Sequence, residues 1–148
     1  MVTIEKMTAK QLFARPDWGR FESEYLAMAY PEMAGPGVLR SYYEQCTDAG
    51  AATLLVASDG DRTLGLACFF VAASPHTSAK TCMVDALYTS ELAPPSTGAQ
   101  LMLALRKAAR AAGATVVLFS AQTGSDFDRM LAKLKSARHA QNIYIVVA

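Results

Sequence analysis

The chain opens on alternation. Over residues 2–7 apolar and polar side chains take turns, which is the period of a half-buried strand. The period then lengthens. Residues 8–14 predict a first helical turn or two, and Pro16 suits the start of a second helix, where its missing N–H is not needed. Phe21, Tyr25, Met28 and Ala29 keep three- and four-residue spacing through that helix, and Pro31 and Gly35-Pro36-Gly37 end it. Leu39, Tyr42, Tyr43 and Cys46 repeat the spacing over residues 38–47, with Gly50 as the stop.

Apolar runs follow at residues 52–58 and 63–72, around Asp59-Gly60, a strong hairpin signal because both turn positions favour φ above zero. A loop at 74–79 leads to a third run, 80–89, and the three should pair as an antiparallel meander. A helix then runs to about Ala112, closed by Gly113, with Leu101, Leu105, Ala108 and Ala112 facing inward. Residues 114–121 are nearly all apolar, the mark of a strand covered on both faces. A helix beginning at Ser125 or Asp126 carries Phe127, Met130, Leu131 and Leu134 on its apolar face, and residues 142–147 predict a last strand. The order is β-α-α-β-β-β-α-β-α-β. It describes one α/β domain over residues 1–148, of the α+β kind, with a mostly antiparallel mixed sheet and one parallel junction. That junction, between 80–89 and 114–121, is the expected ligand cleft.

Composition narrows the function classes. Apolar residues make up 52% and charged residues 18%, enough for a full core. A net charge of +1 supplies no long-range field for nucleic acid or an anionic membrane, so neither is an expected partner. No run approaches the ~18 apolar residues of a membrane span. The first six residues hold an acid and a base and no apolar signal core, so the expected location is cytoplasmic. Cys46, Cys68 and Cys82 are widely spaced, with only His76 and His139 to join them, so no metal site is expected and the thiols read as small buried hydrophobes.

The chemistry gathers around Glu91-Leu92-Ala93-Pro94-Pro95-Ser96-Thr97-Gly98-Ala99-Gln100-Leu101-Met102. Thr97 followed by Gln100 fits a capping box. Yet nothing from Leu92 to Leu105 is acidic, although a helix start favours acids. Gly98 lets an external group approach, and the N–H groups of Ser96, Thr97, Gly98, Ala99 and Gln100 can aim at an anion such as a pyrophosphate. Asp85, in the middle of Cys-Met-Val-Asp-Ala-Leu-Tyr, is expected on the same strand face as Met83 and Leu87. A buried acid there needs a partner, a water or a role.

On these residues the chain resembles the GNAT family, the Gcn5-related N-acetyltransferases, as a small, divergent member. Ala86-Leu87-Tyr88-Thr89 stands where the family has an "LYV"-like strand end. Residues 101–105 and Ala112-Gly113-Ala114-Thr115-Val116-Val117-Leu118 also look like the family's helix and following strand. In the family's Gln/Arg-x-x-Gly-x-Gly/Ala loop, Ala93 replaces the first residue, Ser96 replaces the first glycine, and Gly98 matches. Leu131 stands where the family usually has a tyrosine acid; Tyr144 is a distant substitute. The resemblance implies acetyl-CoA as cosubstrate. Its pyrophosphate would lie on Ser96, Thr97, Gly98, Ala99 and Gln100, and its pantetheine arm along Leu87, Tyr88 and Thr89. Asp85 would be the base or water-holder for direct attack by an amine of a small molecule or peptide. In the family, the region of Tyr25, Tyr30, Tyr42 and Tyr43 shapes the acceptor site; Glu22, Glu24 and Glu32 could attract an amine. A homodimer is compatible with the resemblance. The alternative is a non-catalytic GNAT-fold binding or assembly protein with a degenerate cofactor site.

Overall fold

The computed structural model describes residues 1–28, 35 and 37–146. Ala29, Tyr30, Pro31, Glu32 and Pro36, which carried sequence expectations, lie outside the described residues. The chain divides into two compact units, Met1–Leu118 and Phe119–Ala148.

In the first unit the order is β1 (Thr3–Met7), α1 (Ala9–Phe13), α2 (Trp18–Met28), α3 (Arg40–Asp48), β2 (Ala52–Asp59), β3 (Arg62–Ala73), β4 (Lys80–Thr89), α4 (Thr97–Ala111) and β5 (Val116–Leu118). The sheet runs β1-β2-β3-β4-β5. The first three pairings are antiparallel and β4–β5 is parallel, the mixed sheet expected from the order of elements. The β2–β3 loop is Gly60-Asp61, one residue later than expected, closed by the pair Asp59↔Arg62. Only Gly60 takes positive φ there, 58°, so one glycine suffices for the turn.

One face of the sheet packs on α1–α3. Leu12, Trp18 and Phe21 meet Leu54, Val56, Leu66 and Cys68 in a buried cluster, with Tyr43, Ala86 and Tyr88 against it. Fully burying one such side chain is worth about 1.5–3 kcal/mol, so this face carries much of the stability. On α4, Leu101, Met102, Leu105 and Ala109 are buried. The stripe therefore passes through Ala109 rather than the expected Ala108 and Ala112. Gly65 makes the approach of α4 possible. A Cβ there would lie 2.8 Å from Leu101 Cδ1 and 2.9 Å from the Tyr88 carbonyl oxygen.

Two strand expectations are corrected. The run 114–121 yields only the three-residue β5, whose Val116 and Leu118 are 50% and 44% exposed, so it is not covered on both faces. Its ladder to β4 spans three residue pairs, too few to order the rest of the run as strand. In the second unit, α5 (Asp126–Lys133) starts at Ser125 as expected, with the Ser125 hydroxyl accepting from the Asp128 N–H at 3.1 Å. Residues 142–146, expected as a last strand, form none, and Val147 lies outside the described residues. Ile143, Tyr144 and Val146 are well exposed. Strand propensity is realised only against a paired neighbour, and these residues have no ladder partner among the described residues. Among the described residues no helix is long and apolar enough to cross a membrane.

Candidate active site

Strand β4 changes its surroundings midway. Thr81, Cys82 and Met83 pair with Val116, Val117 and Leu118 of β5 on one side and with β3 on the other. Beyond Met83 the pairing to β5 stops. Almost at once the register to β3 slips: Phe69 faces Val84, Cys68 faces Ala86, and Asp85 is the extra residue. Such a bulge bends a strand and increases its twist. From residue 84 to 89, β4 therefore has β3 as its strand partner but not β5. A strand edge of this kind, here including Leu87, Tyr88 and Thr89, can take an extended ligand as it would another strand.

The bulge also redirects Asp85. The expectation that it shares a face with Met83 and Leu87 fails for Leu87, because one inserted residue shifts the two-residue alternation. Leu87 pairs with Ala67, two residues along β3 from Gly65 and so on its α4-facing side. Asp85 instead sits toward α1–α3, where Tyr43 of α3 donates its phenol to Oδ2 at 2.7 Å. The acid is exposed, so its partner is not offsetting deep burial. Burial first, then the bond to Asp85 and its negative charge, push the Tyr43 phenol far above its ordinary value and keep it a donor. Cys68 nearby is pushed up to about 12, mostly by burial and then by the Asp85 charge, which leaves it an inert thiol.

Asp85 and Tyr43 border a cavity of about 50 Å³ walled by Phe13, Trp18, Tyr25 and Val38. Trp18 is 4% exposed, and its indole N–H has no hydrogen-bond partner among the described residues. The tyrosines expected near the acceptor thus divide. Tyr43 and Tyr25 line the cavity, Tyr42 is exposed, and Tyr30 lies outside the described residues.

The mouth of α4 differs from the capping box expected there. The N-cap is Ser96, whose φ of −78° and ψ of −12° are already helical, and it makes no side-chain cap. Its hydroxyl instead accepts from Gln100 Nε2 at 3.0 Å. Thr97 is fully buried as the first helical residue, and its hydroxyl has no partner among the described residues. The Thr97 N–H donates to the Pro94 carbonyl at 2.9 Å, and the Gln100 N–H to the Ser96 carbonyl at 3.0 Å. No hydrogen bond among the described residues engages the N–H groups of Ser96, Gly98 or Ala99. The first turn carries no acid. This leaves donors and the positive end of the helix dipole uncompensated. Pro95 explains the geometry, since its fixed φ starts the helical path before the cap residue is reached.

The end of β4 is held from the other side. Ser90 donates to Glu24 Oε2 at 2.5 Å, Arg20 joins Glu24 and donates to Asp17 at 2.7 Å, and Asp17 accepts from the Thr63 N–H and hydroxyl, each at 2.7 Å. The Ser90 bond, against a smaller opposing effect of burial, and then Arg20 hold Glu24 below the usual carboxylate range. Burial opposes ionisation of Asp17, but Thr63 and Arg20 together lower it. Glu22 accepts from the Val38 N–H at 3.1 Å and lies 3.6 Å from Arg40. Glu22 and Glu24 are therefore occupied within the protein, and Glu32 lies outside the described residues.

No protein-family model and no curated protein sequence matches the chain. Solved structures do. A ribosomal-protein-alanine N-acetyltransferase from Brucella melitensis biovar Abortus 2308 superposes with a TM-score of 0.68 at 17% identity, covering 100% of this chain and 99% of its own. An aminoglycoside acetyltransferase from an uncultured soil metagenomic sample, in complex with sisomicin, gives 0.72 at 14% identity over 99% and 97%. A predicted acetyltransferase with acetyl-CoA from Clostridium acetobutylicum gives 0.68 at 11% identity over 97% and 96%. The bulged, parting β4 and the open helix mouth beside it thus stand in a chain whose fold is the GNAT acetyltransferase fold.

Proposed function

We propose that the chain is an acetyl-CoA-dependent N-acetyltransferase, one domain over its whole length, acting on an amine of a small molecule or peptide. The observation that carries this reading is the parting of β4 from β5 at the Asp85 bulge, ahead of a helix mouth with uncommitted N–H groups. The residues present suit the cosubstrate. The edge of Leu87, Tyr88 and Thr89 offers backbone groups to a pantetheine amide chain. The N–H groups of Ser96, Gly98 and Ala99 offer donors to a pyrophosphate, while Thr97 and Gln100 shape the turn that presents them. Acetyl-CoA, when bound, supplies an acetyl group activated as a thioester.

Asp85 would accept the proton of the amine, directly or through a water, as nitrogen bonds to the acetyl carbon and the carbon–sulfur bond breaks; CoA would leave as the thiolate and take a proton from solvent. Holding the amine beside the thioester carbonyl removes the entropy cost of bringing two molecules together. A ribosomal-protein-alanine N-acetyltransferase and an aminoglycoside acetyltransferase are both among the similar structures, which supports both acceptor classes without choosing between them.

A thiol-release assay with acetyl-CoA against amino acids, polyamines, aminoglycosides and peptides tests this. Turnover with at least one class is expected, and Asp85→Asn should lower it about 100-fold or more. No thiol release with any of these amines contradicts the enzyme; unchanged turnover in Asp85→Asn removes that residue from the mechanism. A second reading, a non-catalytic GNAT-fold binding protein, is favoured by one observation: the Thr97 N–H is already given to Pro94, and Pro94 and Pro95 have none to give.

A further inference from the structure

We propose, resting on the acetyltransferase reading, that Tyr43 is a positioning residue that fixes the Asp85 carboxylate for proton transfer. Asp85 sits at a strand bulge and is exposed, so its side chain would otherwise sample several rotamers. The Tyr43 phenol holds Oδ2 at 2.7 Å, the length of a bond strengthened by charge. Asp85 Oδ1 makes no hydrogen bond among the described residues, so it is the oxygen left for the amine or its water.

Tyr43 is itself anchored. It packs against the core cluster under α1–α3, its ring meets Tyr42 edge-on at 5.3 Å, and its carbonyl accepts from the Thr47 hydroxyl at 2.9 Å. The tyrosine lies on a helix and the acid on a strand, 42 residues apart, so the contact joins the acceptor side of the sheet to the bulge. A phenol disfavoured from ionising stays a donor and cannot compete with Asp85 for the amine's proton.

A kinetic cycle of Tyr43→Phe, Asp85→Asn and the double variant tests the role. Tyr43→Phe should lower kcat about tenfold, the effect of losing one hydrogen bond to a charged group, with KM for acetyl-CoA unchanged. In the Asp85→Asn background it should add no further loss, because residues acting as a unit are not additive. An equal loss in both backgrounds, a raised KM for acetyl-CoA, or no loss at all overturns the proposal. Should Tyr43→Phe fail to fold, NMR of the wild-type protein decides. The Tyr43 hydroxyl proton should be protected from exchange and lose that protection in Asp85→Ala, which leaves it no acceptor; a freely exchanging hydroxyl in the wild type overturns the proposal. A wild-type chain without turnover refutes the acetyltransferase reading and takes this role with it. Normal wild-type turnover with an indifferent Tyr43→Phe refutes Tyr43 alone.

Discussion

Helices α1 and α4 begin with the same sequence pattern, Thr8-x-x-Gln11 and Thr97-x-x-Gln100, and use it in opposite ways. At α1 the Thr8 backbone is extended, its hydroxyl accepts from the Gln11 N–H at 3.2 Å, and Gln11 Oε1 accepts from the Thr8 N–H at 2.9 Å. That mouth is closed by its own side chains. At α4 the threonine has moved one position into the helix and into the core, and the cap falls to a serine already in helical conformation. Side-chain capping needs an extended cap residue, so α4 cannot close itself the same way. The difference separates a helix start that serves only stability from one left available to an anion.

The largest expected effect comes from placing an acid at each mouth. Ala99→Asp should weaken acetyl-CoA binding about 100-fold, because like charges brought together cost several kcal/mol. Without ligand the same variant should be more stable by about 0.3–1 kcal/mol, through the helix dipole. Lys10→Asp at the α1 mouth should leave acetyl-CoA affinity unchanged. Titration calorimetry with thermal melts reads both quantities, and parallel changes in the two variants would erase the distinction.

Gly65→Ala probes what brings α4 to the sheet. Its new methyl would meet Leu101 and the Tyr88 carbonyl, and overpacking of this kind costs about 1–3 kcal/mol. A denaturant midpoint equal to wild type would show that α4 can move away freely.

The smallest contrast lies in the threonines themselves. Thr8→Ala should cost about 1 kcal/mol, the value of a working cap. Thr97→Val should cost nothing or stabilise, since it removes a buried hydroxyl that has no partner among the described residues. Equal destabilisation by both would mean that Thr97 caps after all.

The hairpin around Asp59-Gly60, the limits of β4, the stop at Gly113 and the start of α5 at Ser125 were legible because local turn chemistry decides each of them. The orientation of Asp85 was not, because a bulge inserts one residue and reverses every later side chain, and periodicity carries no mark of where the insertion falls. Thr97 was misread for a related reason: its pattern is a good cap locally, but burial claimed the side chain first. The reciprocal box at Thr8 was available in the same letters and was missed. The bond from Tyr43 to Asp85 is a tertiary contact with no local signal. The apolar letters of 114–121 and 142–147 announce strand propensity without saying whether an edge will be there to pair with, and that explains both corrections.

The account rests on the α4 mouth as an anion cradle, and the melting temperature with and without acetyl-CoA tests it most directly. Ligand at about 100 times its Kd adds about 2.7 kcal/mol to folding stability, a shift of several degrees for a chain of this size. The account predicts that shift in the wild-type protein and its loss in Ala99→Asp at the same concentration. No shift in the wild type at millimolar acetyl-CoA, or an equal shift in the variant, would contradict it.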